Sequence, residues 1–101
     1  MIFYIEIKEE AKNDILDATG WYASRKTGLE KRFIARLESI LLAIQQNPKA
    51  FKFIFKSFRQ AALKKFPYVV VYEVENEKVI IYAVFNMKQD PRKKLSRLRN
   101  K

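Results

Sequence analysis

Apolar residues in the first half of the chain recur with a helical period, whereas in the second half they gather into short runs rich in valine, isoleucine and aromatics. "MIFYIEI" (Met1 to Ile7) is short, aromatic and β-branched, and predicts a strand suited to cover on both sides. Glu9 and Glu10 then open a helix in which Ala11, Ile15, Ala18 and Tyr22 fall on one face, reaching about Arg25. Gly20 inside it costs ~1 kcal/mol relative to alanine, which predicts a close helix–helix approach at that point. "KTG" ends the helix, with Gly28 free to take a left-handed backbone. Leu29, Phe33, Leu37, Ile40, Leu41 and Ile44 make a second apolar stripe that stops at Asn47-Pro48. So short a link predicts an antiparallel helix hairpin, with Trp21 and Tyr22 as core or hairpin contacts.

After Pro48 the period changes. "FKFIFKSFRQAALKKF" alternates loosely, and about Arg59 to Phe66 is its best strand because it runs into the Pro67 turn. Tyr68 to Val74 and Val79 to Phe85 are the strongest strands, joined by the polar "ENEK" as an antiparallel hairpin. The expected fold is α+β, in the order β-α-α-β-β-β: an N-terminal strand, an antiparallel two-helix hairpin and a three-stranded antiparallel meander. The helices should pack on one face of the sheet and leave the other free for a partner. Residues 1–90 form the expected single domain and 91–101 a basic C-terminal tail, in which Leu95 and Leu98 suffice to dock one helical turn.

Composition narrows the chemistry. The 101 residues are 49% hydrophobic, enough for one core and too few for two ordinary domains. No apolar run approaches the ~20 residues of a membrane span, and the N-terminus has no signal-peptide pattern, so no membrane is expected as partner and the cytoplasm is the expected location. The absence of cysteine and histidine excludes disulfides, thiolate chemistry and imidazole catalysis, and removes the commonest metal ligands; no metal or cofactor is expected. The net charge is +10, and its basicity belongs to the second half: thirteen Lys/Arg against four Asp/Glu in residues 51–101, eight against seven before them. Such a field favours anionic partners without choosing among nucleic acid, acidic protein and lipid.

Gly20 and Gly28 cannot build a phosphate-binding loop, and Glu9, Glu10, Asp14 and Asp17 read as solvent-facing charge rather than paired catalytic carboxylates. What remains is basic and aromatic: Arg59, Lys64, Lys65, Tyr68, Tyr72, Tyr82, Lys88, Arg92, Lys93, Lys94, Arg97 and Arg99. Cations can hold phosphates and tyrosines can stack on bases, so a metal-free ribonuclease is one reading. Alternation turns many of those tyrosines into the core, and a bare basic patch fits a protein partner equally well.

The succession "A-x-x-D-I" at 11–15, "WY" at 21–22, "L-x-x-x-F" at 29–33, "NP" at 47–48, "FRQAALKKFPYVVVYEV" at 58–74 and "VIIYAVF" at 79–85 resembles the RelE/ParE superfamily of bacterial type II toxins, which includes plasmid stabilization proteins. The resemblance implies a growth-inhibiting toxin that binds a cognate antitoxin through an acidic segment and can form a hetero-oligomer with it. RelE-like members cut messenger RNA on the ribosome with lysines on the strand before the central turn, an arginine after the following tyrosine, another after the last strand, and a late tyrosine. At the matching places this chain has Gln60, Ala62, Val69 and Met87, and no tyrosine follows Tyr82. A ribonuclease would have to use Lys64, Lys65 and Lys88 instead. ParE-like members poison DNA gyrase without a catalytic site of their own, and commonly share the "FPY" strand. Many end the last strand in histidine, where this chain has Asn86, which cannot titrate near neutrality. The resemblance therefore favours docking, on gyrase first, over catalysis, with a detoxified remnant that only binds its antitoxin as a further alternative; Arg59, Lys64, Lys65, Asn86, Lys88, Arg92, Lys93, Lys94, Arg97 and Arg99 are the expected partner surface.

Overall fold

The computed structural model describes residues 3–99. Met1, Ile2 and the last two residues lie outside them, including the start of the expected first strand. The elements are β1 (Tyr4–Ile7), α1 (Glu9–Arg25), α2 (Leu29–Gln46), a 3-10 turn (Pro48–Ala50), β2 (Phe53–Phe55), β3 (Phe58–Ala62), β4 (Tyr68–Glu75), β5 (Lys78–Asn86) and α3 (Pro91–Arg99). They build one sheet in the order β1-β5-β4-β3-β2, antiparallel except where β1 runs parallel to β5. The α+β architecture expected from the sequence is the one observed, with β2 and α3 added to it.

Both helices of the hairpin turn their apolar stripes onto one face of the sheet. Ala11, Ala18, Tyr22, Phe33, Leu37 and Ile44 bury there against Val70, Tyr72, Val79, Ile81 and Val84. Gly28 precedes α2 with φ 87°, a region closed to most side chains, so the expected left-handed turn is present. Gly20 differs from expectation. It is exposed, and a Cβ placed on it meets nothing within 4 Å, so no helix approaches it closely. Gly20→Ala is therefore expected to raise stability by about 0.5–1 kcal/mol through helix propensity alone, measurable as a shifted urea midpoint. Adjacent aromatics also part company: Tyr22 is buried, while Trp21 is 51% exposed.

The expected strand over Arg59 to Phe66 is displaced toward the N-terminus. β3 begins at Phe58 and ends at Ala62, and the left-handed backbones of Lys56 (φ 49°) and Lys65 (φ 68°) turn the chain on either side of it. Lys64 and Lys65 therefore sit in a turn, not on a strand. The sheet's second face is not free as expected, because α3 lies on it. Leu98 buries among Phe58, Val69, Val71, Ala83 and Phe85. One extra residue in β5, at the register shift opposite Val71/Tyr72, turns Tyr82 onto this face beside the edge of the Phe58 ring.

Tyr72 joins the sheet to the segment after α2. Its fully buried hydroxyl donates to the Pro48 carbonyl, and burial pushes its pKa up to about 12. An acid whose folded pKa exceeds its unfolded value stabilises the fold below the unfolded value, near 10, and loses that contribution as pH rises toward 12. Stability should fall by up to about 2 kcal/mol across that window. Urea titrations at pH 9 and pH 11.5 should show the decline in the native chain and a shallower one in Tyr72→Phe.

Candidate functional site

The sheet's register places Gln60 opposite Val71 and Ala62 opposite Val69, on the face that α3 covers. Where α3 leaves that face, Gln60, Val69, Phe85, Asn86, Met87 and Lys94 line a cleft of about 210 Å³. Lys94 Nζ donates to Gln60 Oε1 at 3.0 Å. The cleft thus brings together two sequence-predicted residues, Asn86 and Lys94, with three positions at which the resemblance had led to an expectation of cations: Gln60, Val69 and Met87.

The segment "NMKQDP" that follows β5 is an ordered turn. Asn86 Oδ1 accepts the Lys88 amide at 2.8 Å, the Asn86 carbonyl accepts the Gln89 amide at 3.1 Å, and the Pro67 carbonyl accepts the Met87 amide at 2.7 Å. Asp90 then caps α3: Oδ1 accepts the Arg92 amide at 2.9 Å, and Pro91 takes the first helical position, where its missing N–H costs nothing. The Arg92 side chain beside Asp90 holds that carboxyl below its ordinary range. Asn86 also borders a second cleft, of about 330 Å³, with Asp14, Asp17, Trp21 and Tyr68.

The other predicted residues scatter. Lys88, Arg92 and Lys93 are exposed around the turn and the start of α3. Arg59 points to the helix-hairpin side, donates to the Lys49 and Phe51 carbonyls, and stacks 3.8 Å from the centre of the Phe53 ring. Lys64 and Lys65 occupy the β3–β4 turn. Arg99 lies 6.0 Å from the Phe55 ring centre. Arg97 is taken up within the molecule: Nη1 donates to both Asp14 oxygens at 2.9 Å, Nη2 donates to the Tyr82 carbonyl at 3.0 Å, and Nε lies 3.2 Å from Glu10.

Asp14 is the residue that the charge pattern misplaced. It is half-buried rather than solvent-facing, and its Oδ2 accepts the Val84 amide at 2.9 Å. Burial pushes its carboxyl up, against the Val84 amide and Arg97, which favour the charged form. The signal was present in the sequence, since Asp14 lies between Ala11 and Ala18 on the apolar stripe of α1. Glu73 is a second acid that the charge pattern does not place. It is buried on the α3 face, where it accepts a hydrogen bond from Ser57 and lies 3.4 Å from the Tyr82 hydroxyl. An acid amid "VVVYEVE", where neighbours are core, marks such a position.

Chemically, the cleft at the end of β5 offers amides, apolar walls, the Asp90 carboxylate and one hydrogen-bonded amine. It suits surface recognition better than phosphoryl transfer, which needs several donors converging on developing charge. Among the described residues, no cluster of three or more His, Cys, Asp or Glu could hold a metal ion, and no helix is long and apolar enough to cross a membrane.

Residues 5–91 match the ParE toxin of the type II toxin-antitoxin system, parDE. The chain belongs to the ParE toxin family. Toxin ParE2 of Mycobacterium tuberculosis is 25% identical over 88 residues, which are 86% of this chain and 84% of that protein. Among solved structures, a chain of the chromosomal ParDE TA system from P. aeruginosa superposes with a TM-score of 0.74 at 14% identity, covering 86% of this chain and 98% of that one. The E. coli toxin RelE, as a mutant in the free state, superposes at 0.58 with 16% identity over 87% and 86% of the two chains. The ParE fold and the RelE fold are thus the fold of this chain, and ParE family membership makes it a type II toxin with an antitoxin as partner.

Proposed function

We propose that this ParE-family toxin arrests growth by binding DNA gyrase in the cytoplasm, without cleaving RNA. The observation that carries the reading is the cleft at the end of β5. Gln60, Val69 and Met87 line it together, and Lys94 is its only cation among the described lining residues. Val69 offers no hydrogen bond to a phosphorane, and Lys94 already donates to Gln60. Around that cleft, Asn86, Lys88, Lys93 and Arg92, the last paired with Asp90, form a polar rim of net positive charge suited to steering and docking an anionic partner surface.

The test is a supercoiling assay with purified gyrase and relaxed plasmid. The native protein is expected to inhibit supercoiling or trap cleaved DNA, and Lys88→Glu with Lys93→Glu to weaken the effect tenfold or more, about 1.4 kcal/mol. Absence of inhibition over a wide concentration range would overturn the proposal. Primer extension on mRNA from induced cells covers the ribonuclease: A-site cuts that vanish in Lys64→Ala, Lys65→Ala would put that activity in its place.

A further inference from the structure

A second cationic cleft lies between α2 and the β3–β4 turn. Leu29, Arg32, Ala35, Arg36, Ser39, Lys65 and Phe66 enclose about 540 Å³, sharing no lining residue with the cleft at the end of β5. Its floor is apolar: Leu29, Ala35 and the Phe66 ring, whose other contacts are with Tyr22 and Phe33 in the core. Its rim is cationic. Arg32 and Arg36 stand one helical turn apart on α2, and the left-handed backbone of Lys65 brings a third cation to the opposite bank. Among the described residues no carboxylate lines the cleft, because Glu30 and Glu38 fall on other faces of α2 at 3.6 residues per turn. Among the described residues, none of the three cations forms an ion pair.

We propose that this cleft receives an acidic amphipathic segment of the antitoxin, with an apolar side chain seated over Leu29 and Phe66 and two carboxylates one helical turn apart on Arg32 and Arg36. The charge complementarity is direct: unpaired arginines present planar forks that match carboxylates bidentately. The apolar floor favours a peptide over a polynucleotide, since Leu29 and Phe66 match an apolar side chain set between two carboxylates, a pattern that a phosphate backbone does not present. Antitoxin capture at α2 and target engagement at the end of β5 then occupy separate surfaces. The proposal rests on the antitoxin partner that the ParE family implies and is independent of gyrase as the target.

The experiment pairs the purified full chain with the antitoxin encoded beside it. Arg32→Glu with Arg36→Glu is expected to retain the native circular dichroism spectrum, weaken the antitoxin complex tenfold or more by titration calorimetry, and leave growth arrest intact when expressed without antitoxin. Reversing antitoxin acids to lysine should restore affinity to the double variant and not to the native chain. Unchanged antitoxin affinity in the folded double variant overturns the proposal. So does a selective loss of binding to a labelled single-stranded 12-mer, or to phosphatidylglycerol vesicles, while antitoxin affinity persists. If the double variant is misfolded, Arg32→Gln with Arg36→Gln carries the same prediction with a smaller loss. A negative gyrase assay leaves these affinities interpretable, because none is read through gyrase.

Discussion

Replacing Arg97 with alanine is expected to cost about 2–4 kcal/mol and to release α3 before the rest of the fold. The guanidinium is the point at which three separate elements meet. It binds Asp14 of α1 through both carboxylate oxygens, the Tyr82 carbonyl of β5, and Glu10. Its position follows from sheet geometry. β1 pairs with β5 only as far as Ile81, so the next residues of β5 have an open edge on that side. Asp14 takes the Val84 amide there and Arg97 takes the Tyr82 carbonyl, so two side chains do the work of a missing strand. The side chains of Arg97 and Asp14 are only 25% and 20% exposed, which places their pair well inside the range where losing one partner strands the other.

The same substitution should change the pH dependence, with a definite sign. Burial already holds the Asp14 carboxyl above its ordinary range, and removing the arginine takes away one of the groups opposing that rise. A carboxyl whose folded pKa is raised favours the fold below its unfolded value and disfavours it once pH has risen through the folded one. The deficit of Arg97→Ala should therefore be larger at pH 7 than at pH 4, and Asp14→Asn in the same background should remove much of that difference. Urea unfolding at the two pH values measures it, and amide exchange over residues 92–99 reports the release of α3. An equal deficit at both pH values with unchanged exchange would show that Leu98 and the Lys94–Gln60 hydrogen bond hold α3 without Arg97.

What the sequence made legible, and what it did not, divides along sequence separation. The bounds of α1 and the start of α2 were readable because apolar period, early acids and a glycine act within a few residues. The strong Val/Ile runs placed β4 and β5 to within a residue or so for the same reason. The Asp14–Arg97 clasp joins residues 83 apart, and no local pattern announces it. With the clasp unseen, the tail lacked a reason to become a nine-residue helix, and the sheet's second face looked free. Gly20 misled because a glycine in a helix has the same appearance whether or not a neighbour needs the space. In the site, "NMKQDP" was readable as the end of the sheet, and Asn86 does border the cleft there. That Lys94 would fold back onto Gln60, 34 residues earlier, depended on the unseen docking of α3.

Truncating Phe33 to alanine should be the most damaging of the substitutions considered, at about 3–5 kcal/mol. Its ring has no exposed surface and lies between three others, with centroids 5.3 Å away in Tyr22, 5.5 Å in Phe66 and 5.2 Å in Tyr68. Those neighbours come from α1, the β3–β4 turn and the start of β4, so the cavity would open where the hairpin meets the sheet. They are rings fixed by one another and cannot collapse to fill it, which puts the cost toward the upper part of the range. A domain of this size has only about 5–15 kcal/mol of stability, so the variant should be partly unfolded at growth temperature. Trp21→Ala supplies the contrast. That ring packs edge-on to Tyr22 at 5.1 Å with Arg25 over it at 4.4 Å, but half of it faces solvent, and its removal should cost about 1 kcal/mol or less. Thermal melts of the two variants should therefore differ by more than 10 °C, at roughly 4–8 °C per kcal/mol for a chain of this length. Equal melting temperatures would mean that the aromatic cluster does not join the hairpin to the sheet. The Phe33→Ala cavity also lies beneath the α2 cleft, so antitoxin affinity should fall with it, while in Trp21→Ala that affinity should hold.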